Sequence, residues 1–186
     1  MEQNKKSWLG WLLLVLSLVG LLIALVLFLR SRRKETQADQ IQDNPEQGTS
    51  GADTMDAVRF YNVALDTIGD RASEPIVRII TAQAMHETGV FTSPVFMENN
   101  NAFGMRQPEK RPTVSIGENR GYAVYESVED SIRDLILWFD YNKIPVEFNS
   151  VGAYTAKIRE YSYYEAGYAD YTASVKMHLM KLNSMV

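Results

Sequence analysis

The feature that most constrains this chain is an uncharged apolar run, Trp8–Leu29, in which 11 of 22 residues are leucine. A helix rises about 1.5 Å per residue, so the run is roughly 33 Å long, close to the hydrocarbon thickness of a bilayer. Trp8 and Trp11 lie near its start, where indole rings suit the headgroup level. We predict that residues 1–34 form a single-pass anchor with basic flanks and that residues 8–29 contact the lipid bilayer.

The residues that follow the run indicate that it is retained, but they leave its orientation open. A cleavable signal peptide has a shorter apolar region and a small-residue cleavage site, whereas this run ends in Leu29-Arg30-Ser31-Arg32-Arg33-Lys34. A buried core helix is the other alternative. By the positive-inside rule, the basic residues on the C-terminal side slightly favour a cytoplasmic location for the rest of the chain.

A polar linker and one domain follow the predicted anchor. Residues 35–53 contain a single large apolar residue, Ile41, too little to support a core of their own, so we predict a flexible linker. Residues 54–186 have the size of one domain. Because residues 51–186 carry 13 Lys/Arg against 18 Asp/Glu and have no basic run, nucleic acid is not an expected partner.

The residue types that build metal and thiol sites are scarce. The chain has no cysteine, which excludes disulfides, thiolate nucleophiles and Cys-ligated zinc. Its two histidines, His86 and His178, are far apart in sequence, which argues against a multi-His metal site and a Ser-His-Asp triad. We expect neither a metal nor an organic cofactor.

Hydrophobic periodicity predicts a helix-dominated α+β domain with one small hairpin. Capping residues and glycine stops bound the predicted segments. The helices are expected at about residues 55–68, 73–88, 127–139, 150–161 and 168–182, with a loop over 90–112 and strands at 113–116 and 122–125 around a turn at 117–121.

The second predicted helix carries the first candidate for catalysis. Ile76, Ile80, Gln83 and Glu87 fall on one face, so Glu87 continues an apolar stripe. It also lies in the last turn, where the helix dipole disfavours a carboxylate; burial and the dipole both raise its pKa. A carboxyl group that stays partly protonated near neutral pH suits a general acid. The alternative is a structural Glu paired with a base such as Arg78 or Arg106.

Two motifs around Glu87 identify a family resemblance. The first is Ala82-Gln83-Ala84-Met85-His86-Glu87-Thr88-Gly89 with Ser93, and the second is Asn100-Asn101-Ala102-Phe103-Gly104-Met105. Together they resemble the glucosaminidase-type peptidoglycan hydrolases, glycoside hydrolase family 73, whose domain is of the mannosyl-glycoprotein endo-β-N-acetylglucosaminidase type. The aromatic segments Gly121–Tyr125 and Tyr163–Tyr171 are also similar to this family, so the resemblance covers about residues 56–183.

The resemblance implies a lysozyme-like, two-lobed α+β fold with a cleft between a helical lobe and a β-containing lobe. It also implies cleavage of the β-1,4 bond between N-acetylglucosamine and N-acetylmuramic acid in the glycan strand of peptidoglycan. The general acid of this family is the Glu at the helix end, which is Glu87 here. The argument from burial points to the same residue independently.

The remaining candidate site residues come from the same resemblance. Family members often carry an acidic residue in the β-lobe, and Glu118 at the hairpin tip is the best-placed candidate for a second catalytic carboxylate; the alternatives are an exposed turn residue and assistance by the substrate acetamido group. Asn100 and Asn101 are candidates for binding sugar hydroxyls or for capping the loop. The tyrosines expected near the cleft are Tyr125, Tyr164 and Tyr171.

These observations predict a membrane-anchored endo-β-N-acetylglucosaminidase in which Glu87 is the general acid. A lytic transglycosylase with the same Glu, and a non-catalytic, membrane-tethered wall-binding protein, are the alternatives. The substrate requires the catalytic domain to face the cell wall, which is the opposite of what the flanking charges favour. A bacterial wall-remodelling enzyme, a phage lysis protein and an enzyme in a virion membrane all fit a short anchored hydrolase.

Overall fold

The computed structural model describes residues 55–186, which belong to one compact unit, residues 53–186. The predicted anchor, residues 1–34, and the predicted linker, residues 35–53, lie outside the described residues. Within the described part of the chain, no helix is both long and apolar enough to cross a membrane.

The described residues form six helices and a two-stranded antiparallel sheet, so the predicted helix-dominated α+β class with one small hairpin is confirmed. In chain order the elements are α1 (Ala57–Ile68), α2 (Glu74–Glu87), α3 (Pro94–Asn99), β1 (Gly117–Asn119), β2 (Tyr122–Val124), α4 (Val128–Tyr141), α5 (Val151–Glu160) and α6 (Tyr168–Asn183).

Local capping residues set most of the helix starts, which is why the sequence located these helices to within a few residues. Asp56, Ser127 and Ser150 each accept a backbone N–H three residues on, at the starts of α1, α4 and α5. At the start of α2, Ser73 makes no side-chain cap bond, and Pro75 fixes the first turn instead.

Helix α2 is the centre of the core. It packs against α1 on one side and α6 on another, while α6 also packs on α5. Nine of its 14 residues are buried, which accounts for the apolar stripe that the periodicity predicted. The C-terminal end of this buried helix therefore brings Glu87 to a rigid position between elements that are far apart in sequence.

Two local predictions were wrong. The segment expected to be all loop contains α3, which begins with Ser93 as its cap and Pro94 in its first turn. The first strand is not residues 113–116 but Gly117–Asn119, and the turn is the left-handed pair Arg120 and Gly121.

The physical reason for the shifted strand lies in α4. Val114 donates its backbone N–H to Asp134 Oδ1 over 3.3 Å, so this part of the segment is tied to α4 instead of to β2. Ile116, which donates its backbone N–H to Val124 O at 2.9 Å, is the residue of the predicted strand that bonds to β2 through its backbone, directly before Gly117.

Candidate active site

Glu87 is the last residue of α2, and its side chain is half-buried. The Tyr171 hydroxyl, on α6, donates a hydrogen bond to Glu87 Oε1 over 2.6 Å. Burial raises the pKa of Glu87, and the hydrogen bond from Tyr171 only partly opposes this rise. The direction is the one expected from the position of Glu87 on the apolar stripe.

The alternative that Glu87 pairs with Arg78 does not describe this structure. Arg78 instead forms an ion pair with Glu74, one turn earlier on the same helix, at 2.8 Å. Arg106 is exposed. The hydrogen bond from Tyr171 lowers the pKa of Glu87 less than burial raises it, and a raised pKa is what a general acid requires.

Tyr171 is itself held in place by two aromatic neighbours. Its ring is 3% exposed and stacks on Tyr164, with centroids 3.7 Å apart and planes at 5°. The edge of His86 packs against it with centroids 4.8 Å apart, and the Nδ1 atom of His86 lies 2.8 Å from Ser174 Oγ. These contacts orient the Tyr171 hydroxyl toward Glu87 and leave His86 directed at α6.

The chain reverses direction immediately after Glu87 through three consecutive left-handed residues. Gly89, Val90 and Phe91 have φ values of 58°, 59° and 64°. For a β-branched residue such as Val90 this conformation costs about 1–3 kcal/mol and persists only where the surroundings enforce it. Here Thr88 does so, because its Oγ1 accepts from the Phe91 N–H at 2.7 Å.

Gly104 borders the other carboxylate oxygen of Glu87. A Cβ on this residue would lie 3.9 Å from Glu87 Oε2 and 4.0 Å from Tyr122 Cε1, and its φ of +60° also favours glycine. As a glycine, residue 104 places no side chain between Glu87 Oε2 and the Tyr122 ring. Tyr122 is a neighbour of the site that the sequence did not single out.

Asn100 and Asn101 hold the segment that leads to Gly104. The Asn101 side chain is 1% exposed, and its amide nitrogen donates to Met105 O at 2.8 Å and Ala123 O at 2.9 Å. Its Oδ1 accepts from the Phe103 and Met105 N–H groups. Asn100 caps α3 in the left-handed conformation and donates to Tyr125 O at 3.0 Å. In this structure both amides therefore bond to the backbone, and Asn101 has no amide proton left for a sugar.

The hairpin register determines which residues face Glu87. Glu118 pairs with Ala123, and Asn119 pairs with Tyr122. Because paired residues share a face and neighbouring residues alternate, Glu118 lies on the face opposite Tyr122. Tyr122 borders Gly104 and Glu87, whereas Glu118 is exposed. The register therefore does not direct Glu118 toward Glu87.

Tyr125 and Tyr163 each hold a segment near the site through a hydroxyl hydrogen bond. Tyr125 is 2% exposed and donates its hydroxyl to Asp134 Oδ2 at 2.8 Å, so it is bound to α4 and not directed at Glu87. Tyr163 donates to Phe103 O, directly before Gly104, at 2.8 Å. Tyr164 donates to Thr155 O at 3.0 Å besides stacking on Tyr171. The structure thus brings Glu87, Tyr164 and Tyr171 together.

Within the described residues, no group of three or more His, Asp or Glu side chains is placed to hold a metal ion. The chemistry that this arrangement supports is proton donation from one half-buried carboxyl group to a group that approaches beside Gly104.

Comparison with known proteins identifies the family. Residues 70–184 match the glucosaminidase family model, described as mannosyl-glycoprotein endo-beta-N-acetylglucosaminidase. The chain belongs to this family. The protein is accordingly a glycoside hydrolase that acts on peptidoglycan, and the resemblance inferred from the two motifs around Glu87 is confirmed. The match to the glucosaminidase family spans α2 to α6.

A solved structure shares the fold described above. A chain in the structure of a type VI secretion system effector–immunity complex from Pseudomonas protegens superposes with a TM-score of 0.56 at 18% identity, covering 69% of this chain and 91% of that chain. At this identity the likeness shows the fold alone. No curated protein matches the chain.

Proposed function

We propose that this peptidoglycan hydrolase is a membrane-anchored endo-β-N-acetylglucosaminidase with Glu87 as its general acid. The observation that carries the proposal is the environment of Glu87. Its carboxyl group is half-buried at the end of α2 and accepts a hydrogen bond from Tyr171, and burial raises the pKa of Glu87. The bond that we propose it cleaves is the β-1,4 linkage between N-acetylglucosamine and N-acetylmuramic acid.

The position of the acidic proton follows from the hydrogen bond to Tyr171. Because Oε1 accepts from the Tyr171 hydroxyl, the proton of the neutral acid belongs on Oε2, the oxygen on the Gly104 side. From there Glu87 would protonate the glycosidic oxygen as the bond to the anomeric carbon breaks and positive charge develops on the sugar ring. Water then adds to the anomeric carbon and gives up a proton to a general base, for which Glu118 is the predicted candidate, and a new reducing end forms.

Analysis of the reducing ends tests the proposed bond and separates it from the alternatives. We expect purified peptidoglycan, digested and then treated with borohydride, to contain reduced N-acetylglucosamine at the new ends. Reduced N-acetylmuramic acid would place the cut at the other bond. A 1,6-anhydro end would show that the protein is a lytic transglycosylase, and the absence of soluble fragments would favour the wall-binding alternative.

Glu118 stays a prediction as the second carboxylate. In this structure it lies on the sheet face opposite Tyr122, so the role requires the hairpin to move when substrate binds. We expect Glu118→Gln to lower turnover with little loss of stability, because the side chain is exposed. The control is Glu126→Gln, a second exposed carboxylate just after β2. Full activity of Glu118→Gln would favour assistance by the substrate acetamido group instead.

Residues 1–34 supply the proposed membrane anchor, a proposal supported by the uncharged run Trp8–Leu29. Deleting residues 1–34 is expected to release a soluble, monomeric enzyme that is active on isolated walls, because residues 53–186 form one compact unit with their own core. Centrifugal fractionation and turnover measure the two effects. An insoluble or inactive product would mean that the N-terminal segment takes part in the fold.

We further propose that the catalytic domain faces the cell wall, because its substrate lies there. Protease treatment of intact spheroplasts tests this orientation: the C-terminal domain should be digested without lysis. Protection of the domain would support the orientation that the flanking charges favour, and a protein of a phage virion membrane is the alternative setting.

A further inference from the structure

The Gln83 side chain has an unused hydrogen-bond donor next to the proposed acid. Gln83 is 0% exposed and lies one helical turn before Glu87, on the same face of α2. Within residues 55–186, its buried Nε2 makes no hydrogen bond. An unpaired buried donor destabilises a fold, so its presence calls for an explanation.

The orientation of this amide is set by Tyr154. The Tyr154 hydroxyl, on α5, donates a hydrogen bond to Gln83 Oε1, and both side chains are fully buried. If the amide were turned over, the Tyr154 proton would lose this acceptor. The oxygen of Gln83 therefore faces Tyr154, and the Nε2 donor is directed elsewhere.

The charge of Glu87 acts on both hydroxyl groups around this amide. Burial raises the pKa of Tyr154, and the Glu87 carboxylate is the second cause. The pKa of Tyr163 is raised first by burial and next by Glu87, while a side-chain interaction with Gln83 opposes that rise. By distance and angle, however, the Gln83 Nε2 atom makes no hydrogen bond to Tyr163 or to any other described residue. Gln83 thus lies among groups that are close enough to Glu87 to respond to its ionisation.

We propose that Gln83 is a positioning residue whose free Nε2 donor receives the Glu87 carboxylate when the acid gives up its proton. This inference rests on the proposed role of Glu87 as the general acid. Side chains at i and i+4 on a helix are neighbours, about 5–6 Å apart at Cβ, so a rotation of the Glu87 side chain brings its carboxylate within reach. The neutral acid does not need this donor.

Such an arrangement favours the transition state over the resting state. A donor that is already held in place stabilises the negative charge that Glu87 acquires, and only the Glu87 side chain has to turn toward it. Tyr154 acts through Gln83 by fixing the amide, and Tyr171 stabilises the other oxygen. Gln83 contacts no substrate in this scheme; it acts through Glu87.

The test is the pH dependence of kcat/KM in Gln83→Met, a side chain of similar length without the amide. We expect kcat to fall by about 10-fold to 100-fold with KM nearly unchanged, which is the range for loss of one hydrogen bond to a charged group. The alkaline limb, which reports ionisation of Glu87 in the free enzyme, should move to higher pH because the anion loses a donor.

A matched control separates this effect from simple destabilisation. Thr81 is also fully buried in α2, and its hydroxyl donates to Val77 O at 2.9 Å, away from Glu87. Thr81→Val should leave the alkaline limb at the wild-type pH. If Gln83→Met does not fold, Gln83→Met/Tyr154→Phe removes both partners of the buried hydrogen bond and should keep the fold. The same shift of the alkaline limb is expected in this double variant.

Two outcomes overturn the inference, and neither is confused with failure of the proposed function. If the alkaline limb of kcat/KM stays at the wild-type pH in a folded Gln83 variant, the amide has only a structural role. The same conclusion follows if the limb shifts equally in Thr81→Val. Glu87→Gln is measured alongside: full activity of that variant rejects the general acid itself. If Glu87→Gln loses activity but the alkaline limb of the Gln83 variant stays at the wild-type pH, only the role of Gln83 is rejected.

Discussion

Glu87→Gln is expected to lower turnover on purified peptidoglycan by about 10²–10⁴-fold, the range for loss of a general acid. The substitution preserves the shape of the side chain and leaves an oxygen that can accept from Tyr171, but it removes the proton that the glycosidic oxygen needs. The control is Glu147→Gln, an exposed carboxylate beside Ser73 at the other end of α2, which should retain wild-type turnover.

The same variant should not lose stability. The pKa of Glu87 is raised in the folded state, so protonation stabilises the fold fully below the unfolded-state pKa, and this contribution is lost as pH rises through the folded-state pKa. Above that pH the wild type holds a half-buried charge that glutamine lacks. Urea unfolding should therefore show Glu87→Gln to be at least as stable as the wild type at neutral and alkaline pH.

The pH profile gives an independent check of the assignment. Wild-type kcat/KM should decline as pH rises through the raised pKa of Glu87, while circular dichroism stays unchanged. The residual activity of Glu87→Gln should lack this decline. Wild-type turnover in Glu87→Gln, or a flat wild-type profile from mildly acidic to clearly alkaline pH, would contradict the assignment.

Asp134→Ala is expected to lower the free energy of unfolding by about 3–5 kcal/mol, the cost of removing one partner from a buried ion pair. Asp134 is 0% exposed and receives two hydrogen bonds from Arg111, at 3.0 and 2.6 Å. It also receives the Tyr125 hydroxyl and the Val114 N–H. The alanine variant would leave the nearly buried Arg111 guanidinium and the Tyr125 hydroxyl without this acceptor.

Asp140→Ala is the matched control on the same helix. Asp140 pairs with Arg71 at 2.7 Å, but both side chains are about half exposed, so the pair contributes only about 0–1 kcal/mol. Urea denaturation measures both variants. A loss in Asp134→Ala as small as that in Asp140→Ala would show that the buried network does not stabilise the fold.

The two buried carboxyl groups respond to pH with opposite signs. Desolvation alone would raise the pKa of Asp134, but hydrogen bonds from Arg111, Thr113 and Tyr125 lower it below its ordinary value. Its contribution to stability is therefore present above the unfolded-state pKa and is lost as pH falls through the folded-state pKa. Glu87 loses its contribution as pH rises, so the two groups together favour an intermediate pH.

The amino-acid sequence by itself determined five of the six described helices, all but α3, and the position of Glu87. Helix starts depend on residues within one turn, such as Asp56 and Ser127, and the stripe that contains Glu87 depends on spacing along a single helix. The family motifs are equally local, which is why the resemblance could be stated before any fold was known. The same local signals misplaced β1, because the Asp134 carboxylate that binds the preceding segment lies on a different element.

Only the tertiary structure decided which groups surround Glu87. Its partner Tyr171 lies 84 residues along the chain, and Tyr154 lies 71 residues from Gln83, distances at which periodicity carries no information. Whether an asparagine side chain faces a ligand or the backbone likewise depends on where β2 packs. The amide of Asn101 donates a hydrogen bond to Ala123 O in β2. The physical reason is that a sequence pattern reports neighbours on one element, whereas burial and hydrogen-bond partners are set by the elements that pack around it.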